Sequence, residues 1–226
     1  MRVCVLASKS FIGSNILRKN PTWTGVTRNE VNLLNSKEVE NFFDKNEFDW
    51  VINCAAVGGS RLKEDDVNVL SDNIVMFENI TKFFKGKTIH FSSGAALRGD
   101  PPRDPYGFSK YMIDQRIKKD LNNAYILRIW GCYGPGEKDT RFSAICKNNG
   151  HVEIEKDRYF DFIDVDDVVR IVELYVTSRI DDKEFNLVYP KKYLLSEWAE
   201  FFGATYTIKD KTTLDDSYFN STHLFS

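Results

Sequence analysis

The sequence lacks most of what would mark a disulfide-stapled, metal-bound or membrane-spanning chain. Cysteine occurs only four times, at Cys4, Cys54, Cys132 and Cys146. The four lie far apart with no CxxC pair, so they read as reduced thiols of a cytoplasmic protein and not as a disulfide frame. There is no HExxH pattern either, and no metal is expected. No apolar run approaches the ~20 residues of a membrane helix. The start, Met1-Arg2-Val3-Cys4-Val5-Leu6, has neither the apolar length nor the small-residue cleavage site of a secretion signal. Charge of one sign is also missing: 31 Lys and Arg against 33 Asp and Glu leave a net −2. That balance argues against a nucleic-acid partner or an acidic membrane surface. No repeat or low-complexity tract is visible.

What remains is an ordinary globular composition, 42% hydrophobic and 28% charged over 226 residues. That length allows one full α/β core with a small attachment. Strand-like and helix-like runs alternate. Strands are expected at Arg2–Leu6, Trp23–Thr27, Trp50–Ala55, Thr88–Ser92 and Ala124–Ile129. Helices are expected at Gly13–Lys19, Ser36–Lys45, Val69–Phe84 and Tyr106–Leu121. Such alternation predicts a Rossmann-type, doubly wound parallel sheet over residues 1–135, with ligands at the carboxyl ends of its strands. After the turn Gly134-Pro135-Gly136 a small substrate-binding part is expected over 136–226, interleaved with the core. It reads as helices near Arg141–Lys147, Asp166–Ser178 and Ser196–Phe202, a strand at Glu184–Val188, and an irregular polar tail from Lys209.

The first β–α turn is short of glycine. A dinucleotide fold asks for small residues at three-residue spacing so that the backbone can turn and approach a pyrophosphate. Here those places hold Ala7, Ser10 and Gly13, a weak signal against an ordinary β–α turn. The second strand ends at Arg28, where an NAD enzyme often has an acid. An arginine there favours a 2′-phosphate, and Lys9 can reach the same group; the alternative is two solvated cations. After the third strand, Cys54, Ala55 and Ala56 are small enough for a cofactor to lie across the strand end, with Cys54 a packing residue.

Ser92-Ser93-Gly94, a Pro-rich loop, then Tyr106-Gly107-Phe108-Ser109-Lys110 form the strongest constellation. Tyrosine and lysine four apart share one helix face. The ammonium stabilises the phenolate, so the tyrosine can exchange a proton with a carbonyl or alcohol oxygen. A serine at the preceding strand end holds the same oxygen; Ser93 is the choice and Ser92 the reserve. A lone YxxxK arises by chance in a chain this rich in Tyr and Lys; its position at a helix start after a Ser-Ser strand end gives it weight.

Taken together these residues resemble the extended short-chain dehydrogenases, specifically the NAD-dependent epimerase/dehydratase family that modifies nucleotide sugars. The segments Thr27–Ser36 and Asn53–Gly59 are similar to those of its GDP-fucose synthase group. Asn73, Tyr133-Gly134-Pro135 and Phe162–Asp167 match further landmarks. The resemblance covers roughly residues 1–190. It implies NADP(H), with Ser93, Tyr106 and Lys110 catalytic. It implies a cofactor site drawn from Ala7, Lys9, Ser10, Phe11, Ile12, Gly13, Arg28, Asn32, Leu33, Cys54, Ala55, Ala56 and Asn73, with Tyr106 and Lys110. Val57, Gly58, Arg141 and Arg158 are the substrate candidates. Ala95 and about Thr140 stand where that group uses a cysteine and a histidine for epimerisation, which counts against that activity, and Gly94-Ala95 stands where 4,6-dehydratases carry Asp-Glu, so dehydration is not expected.

Three functions follow as expectations. The first is an NADPH-dependent reductase of a nucleotide-linked 4-keto (deoxy) sugar. The second is a nucleotide-sugar epimerase, a 4-epimerase or an epimerase-reductase; 4-epimerases favour NAD, which Arg28 opposes. The third is a catalytically silent NADP-binding protein, which the Tyr106–Lys110 pair opposes. A homodimer through the two helices at 69–84 and 106–121 is expected from their apolar content, which includes Phe77, Phe83, Phe84, Tyr111, Met112 and Ile113.

Overall fold

The computed structural model describes residues 1–60 and 62–215. In chain order the elements are β1 (Val3–Leu6), α1 (Phe11–Lys19), β2 (Thr24–Val26), α2 (Ser36–Lys45), β3 (Trp50–Asn53), α3 (Asn68–Phe83), β4 (Lys87–Ser93), a 3-10 turn (Gly94–Leu97), α4 (Pro105–Asp120), β5 (Ala124–Ile129), β6 (Gly131–Tyr133), α5 (Phe142–Asn149), β7 (His151–Phe160), β8 (Phe162–Asp164), α6 (Val165–Val176), β9 (Glu184–Asn186), β10 (Tyr193–Leu194), α7 (Leu195–Phe201) and β11 (Thr205–Asp215). The chain forms two compact units. One holds Met1–Arg128 and the returning segment Val169–Phe185; the other holds Ile129–Val168 and the chain from Asn186 onward.

The first unit is built on a six-stranded sheet in the order β2-β1-β3-β4-β5-β9. β1 pairs in parallel with both β2 and β3, and β3 with β4. The α/β doubly wound fold expected from the alternation is present. Side chains alternate across the strands. Cys4, Leu6, Val26 and Val51 face α2 and α3, where Val39, Phe42, Phe43, Ile80 and Phe84 cover them. Tyr125 faces the other way and meets Tyr175 of α6 at 5.3 Å between ring centroids. Chain order reverses between β1 and β3, and in such sheets that reversal opens a crevice at the strand ends.

The helices begin where polar residues accept the backbone N–H groups that a first turn leaves over. Asn35 accepts from Lys37 and Glu38 at the start of α2. Asp104 accepts from Gly107 at the start of α4, with Pro105 at the first helical position. The apolar residues of α3 and α4 divide between core and surface. Phe77, Phe84 and Ile113 are buried, while Val75 and Met112 are exposed, so much of the apolar content read as a partner surface belongs to the core. No helix among the described residues is long and apolar enough to cross a membrane.

The second unit holds two small sheets, β10-β7-β11 and β6-β8. Its core is aromatic: Tyr133, Phe160, Phe162, Trp198 and Phe202 pack together, and the Trp198 indole N–H donates to the Phe160 carbonyl at 2.7 Å. The expectation of an irregular tail fails between Lys209 and Asp215, which belong to β11; the rest of that tail lies outside the described residues. β11 runs parallel to β7, from Thr205 beside His151 to Asp210 beside Lys156. Tyr206 and Ile208 pack on the core, while Thr205, Thr207 and Lys209 are exposed. A strand with one solvated face reads as a polar loop when only its composition is weighed.

Candidate active site

The site in the first unit starts at the end of β1. Ala7 takes a left-handed conformation, φ +54°, which lets the chain turn where glycine would be unstrained. Ser8 then donates its N–H to the Val26 carbonyl at 3.0 Å, tying this turn to β2. Ser10 caps α1, its hydroxyl accepting from the Gly13 N–H at 3.2 Å, and Phe11 and Ile12 open the helix, half-buried. Gly13 is the place where a side chain is forbidden: a Cβ there would lie 2.6 Å from the Ala7 carbonyl oxygen. One glycine therefore suffices because the other two places are occupied by a tolerated positive φ and by a cap.

Lys9 and Arg28 both stand exposed at the neighbouring ends of β1 and β2. Sequence reading missed a third member, Glu30. Its carboxylate accepts from the Thr27 N–H and the Thr27 hydroxyl, each at 2.7 Å. Those bonds, helped by the charge of Lys9, hold its pKa below the usual value. Asn32 and Leu33 serve the fold in addition to any ligand. The Asn32 side chain accepts from the Leu34 N–H at 3.2 Å. Leu33 is buried in the core, and its carbonyl takes a bond from Asn79 at 2.8 Å.

The loop after β3 is held from below. Asn53 accepts from the Ala55 N–H at 3.0 Å. The Asn73 amide grips Val57 from both sides, accepting its N–H at 2.9 Å and donating to its carbonyl at 3.0 Å, and it also donates to the Ser109 hydroxyl at 3.0 Å. Those bonds tie the loop after β3 to α3 and α4. Burial pushes the Cys54 thiol far above its ordinary pKa, which fits a packing residue and not a nucleophile. Gly58 and Gly59 both have positive φ, and the Gly59 N–H donates to Asp65 at 2.7 Å.

At the end of β4 the two serines part. Ser92 is buried and donates to Asp114 at 2.8 Å. Ser93 is half-buried and caps the 3-10 turn, accepting from the Ala95 N–H at 3.2 Å. That turn abuts the first turn of α4, since a Cβ on Gly107 would come within 2.7 Å of the Ala95 carbonyl oxygen. The strand end with Ser93 and the helix start with Tyr106 are thus brought together. Lys110 is 2% exposed. Its ammonium donates to the Phe91 carbonyl at 2.8 Å and lies 5.7 Å from the centre of the Tyr106 ring. Burial pushes its pKa down to about 8, opposed by the charge of Asp114.

The remaining candidates divide between the units. Val57 and Gly58 belong to the first. In the second, Arg141 opens α5 and donates to the Cys132 carbonyl at 2.9 Å, while Arg158 is half-buried on β7.

The profile of the NAD dependent epimerase/dehydratase family matches residues 3–187. No curated protein matches the sequence significantly. A dTDP-4-dehydrorhamnose reductase from Clostridium acetobutylicum has the same fold, with a TM-score of 0.78 at 16% identity over 92% of this chain and 83% of its own. A dTDP-4-dehydrorhamnose reductase from Bacillus anthracis, solved in complex with NADP, gives 0.78 and 16% over 92% and 82%. A UDP-glucose 4-epimerase from Thermotoga maritima, solved with UDP-glucose, gives 0.75 and 20% over 96% and 88%.

Proposed function

The chain belongs to the NAD-dependent epimerase/dehydratase family, and from that premise we propose that it is an NADPH-dependent reductase of a nucleotide-linked 4-keto sugar. The observation that carries the proposal is the pairing of Tyr106 with a buried lysine ammonium at the carboxyl end of the sheet. The fold it shares with NADP-bound dTDP-4-dehydrorhamnose reductase supports the substrate class.

The first turn fits a dinucleotide. Gly13 leaves the backbone open at the start of α1, whose N–H groups and dipole favour a pyrophosphate, and Lys9 and Arg28 suit a 2′-phosphate. Bound there, NADPH supplies a hydride to the keto carbon. Ser93 donates a hydrogen bond to the carbonyl oxygen and orients it. The Tyr106 hydroxyl transfers its proton to that oxygen as it gains charge, so ketone becomes alcohol. Lys110 stabilises the phenolate left behind and holds the nicotinamide ribose. In the first unit, Val57 and Gly58 are assigned to the nucleotide sugar.

A 4-epimerase is the second reading, and Glu30 favours it, because an acid after β2 is the usual partner of the NAD ribose. Incubation with 4-keto deoxysugar nucleotides and NADPH separates the two. Steady loss of absorbance at the nicotinamide band supports the reductase. Interconversion of UDP-hexoses without net cofactor use supports the epimerase, and NADPH binding with neither supports a silent binding protein. A homodimer through α3 and α4 is part of the proposal; a monomer by light scattering at micromolar concentration counts against it.

A further inference from the structure

Under the catalytic helix lies a group of buried charges that the chemistry above does not use. Arg128, at the end of β5, is 2% exposed. Its guanidinium donates to Asp114 at 2.6 Å and also to Glu184 of β9. Glu184 in turn meets Lys118 of α4 at 2.5 Å. Asp114 is itself 2% exposed. One of its oxygens takes both the Arg128 bond and the Ser92 bond. The other, Oδ1, is buried without a hydrogen-bond partner among the described residues.

A buried carboxylate with one oxygen unsatisfied is costly, and an apolar pair of the same shape is often as stable or more so. Its position suggests what offsets that cost. Asp114 sits one helical turn beyond Lys110, on the same face of α4. Ser92, which it anchors, is bonded directly in sequence to Ser93. One carboxylate thus touches the strand end that carries the serine and faces the lysine that serves the tyrosine.

We propose that Asp114 is a positioning residue for this site: its charge keeps the buried Lys110 ammonium, and its bond to Ser92 holds the Ser93 strand end in register with α4. The proposal rests on the reading of Tyr106 and Lys110 given above. Other groups face Lys110 as well. On β4, His90 is buried and neutral, with its pKa well below the ordinary value because of burial. Beyond β3, Cys54 stays a thiol. On α4 itself Tyr106 presents its ring. Asp114 is therefore the one carboxylate among these neighbours. Burial raises its carboxyl, and the Arg128 and Ser92 contacts oppose that.

The test is a pH titration of Lys110 by NMR of the intact chain with carbon-labelled lysine, its signal assigned by its absence in Lys110→Met. The unmodified chain should titrate near pH 8. Asp114→Asn, which keeps an acceptor for Ser92, should move the midpoint down by about one pH unit, the usual scale of a lost nearby charge. The alkaline fall of kcat should move with it, while KM for the keto sugar stays within about twofold; Asp114→Glu should restore both. If Asp114→Asn does not fold, Glu184→Gln, made at a half-buried position, should move the midpoint in the same direction by less, because Arg128 then neutralises Asp114 alone. A midpoint that stays put in the variant that folds overturns the proposal, even if its melting temperature drops. The titration needs no turnover, so a chain that reduces no keto sugar would sink the functional reading and leave this one measurable.

Discussion

The backbone of Gly59 lies flat against the ring of Tyr106. A methyl group built on Gly59 would stand 2.8 Å from the ring's Cε1 and 2.9 Å from both Cδ1 and Cζ. The ring also lies beside the Lys110 ammonium, which is 5.7 Å from the ring's centre, so a shift that makes room for the methyl group changes that pairing. Gly59 also has φ +70°, where any other residue is strained. Gly59→Ala should lower kcat about tenfold through a displaced tyrosine and cost ~1 kcal/mol of stability. NADPH affinity, read by fluorescence titration, should change less than threefold. Unchanged kcat in a folded Gly59→Ala protein would show that the contact is incidental.

Tyr106→Phe removes the proposed proton donor and keeps the ring's contact with Gly59. Turnover should fall ~10²-fold or more, with NADPH binding and melting temperature preserved. Lys110→Ala should harm both turnover and cofactor binding. A Tyr106→Phe protein that reduces its substrate at a normal rate would refute the assigned chemistry.

The serines should separate by readout. Ser92→Ala leaves Asp114 short of a buried bond and frees the Ser93 strand end, so it should cost ~1–2 kcal/mol in denaturant unfolding and lower turnover several-fold, less than Ser93→Ala does. Ser93→Ala should reduce turnover at least tenfold with little loss of stability. The reverse pattern would move the catalytic role to Ser92.

Arg28→Ala and Lys9→Ala should each weaken NADPH about tenfold and leave NADH nearly unchanged, the scale of one exposed charge-assisted contact. Glu30→Gln, which removes the acid beside them, should tighten NADPH instead. Equal affinities of the unmodified chain for the two cofactors would count against a 2′-phosphate site.

Stability should also depend on pH through His90. Burial lowers its pKa well below 6.5 in the folded chain. Below pH 6.5 the unfolded chain takes up a proton that the fold refuses, so this contribution is complete above pH 6.5 and is lost as pH falls. The slope approaches about 1.4 kcal/mol per pH unit below 6.5. His90→Leu should flatten the denaturation free energy between pH 6.5 and 5. An equal slope in both proteins would place the dependence elsewhere.

The sheet and the Tyr106–Lys110 pair were legible because they rest on short-range patterns: alternating apolar runs, and two residues one helical turn apart. Gly59, Asp65 and Glu30 were not legible. Their roles come from a loop folding back on α4 or from a carboxylate turning onto its own strand end, and neither leaves a periodic trace. Asp114 repeats the spacing that identified Lys110, and that spacing alone offered a signal; only Arg128, fourteen residues further, gives it meaning. β11 was missed because its outward face, Thr205, Thr207 and Lys209, carries loop-like composition.

The return of Val169–Phe185 to the first unit has a consequence for how the protein comes into being. A ribosome releases the amino end first. When Arg128 has emerged, the sheet still lacks β9, and the face bearing Tyr125 still lacks Tyr175 of α6. Arg128 itself waits for Glu184, one of its two carboxylates. For the time needed to synthesise 57 more residues, at ~5–20 residues per second, the nascent chain carries an open sheet edge and a half-neutralised cation. Completion of that unit is thus a late event in synthesis, and its edge stays open until the returning segment arrives.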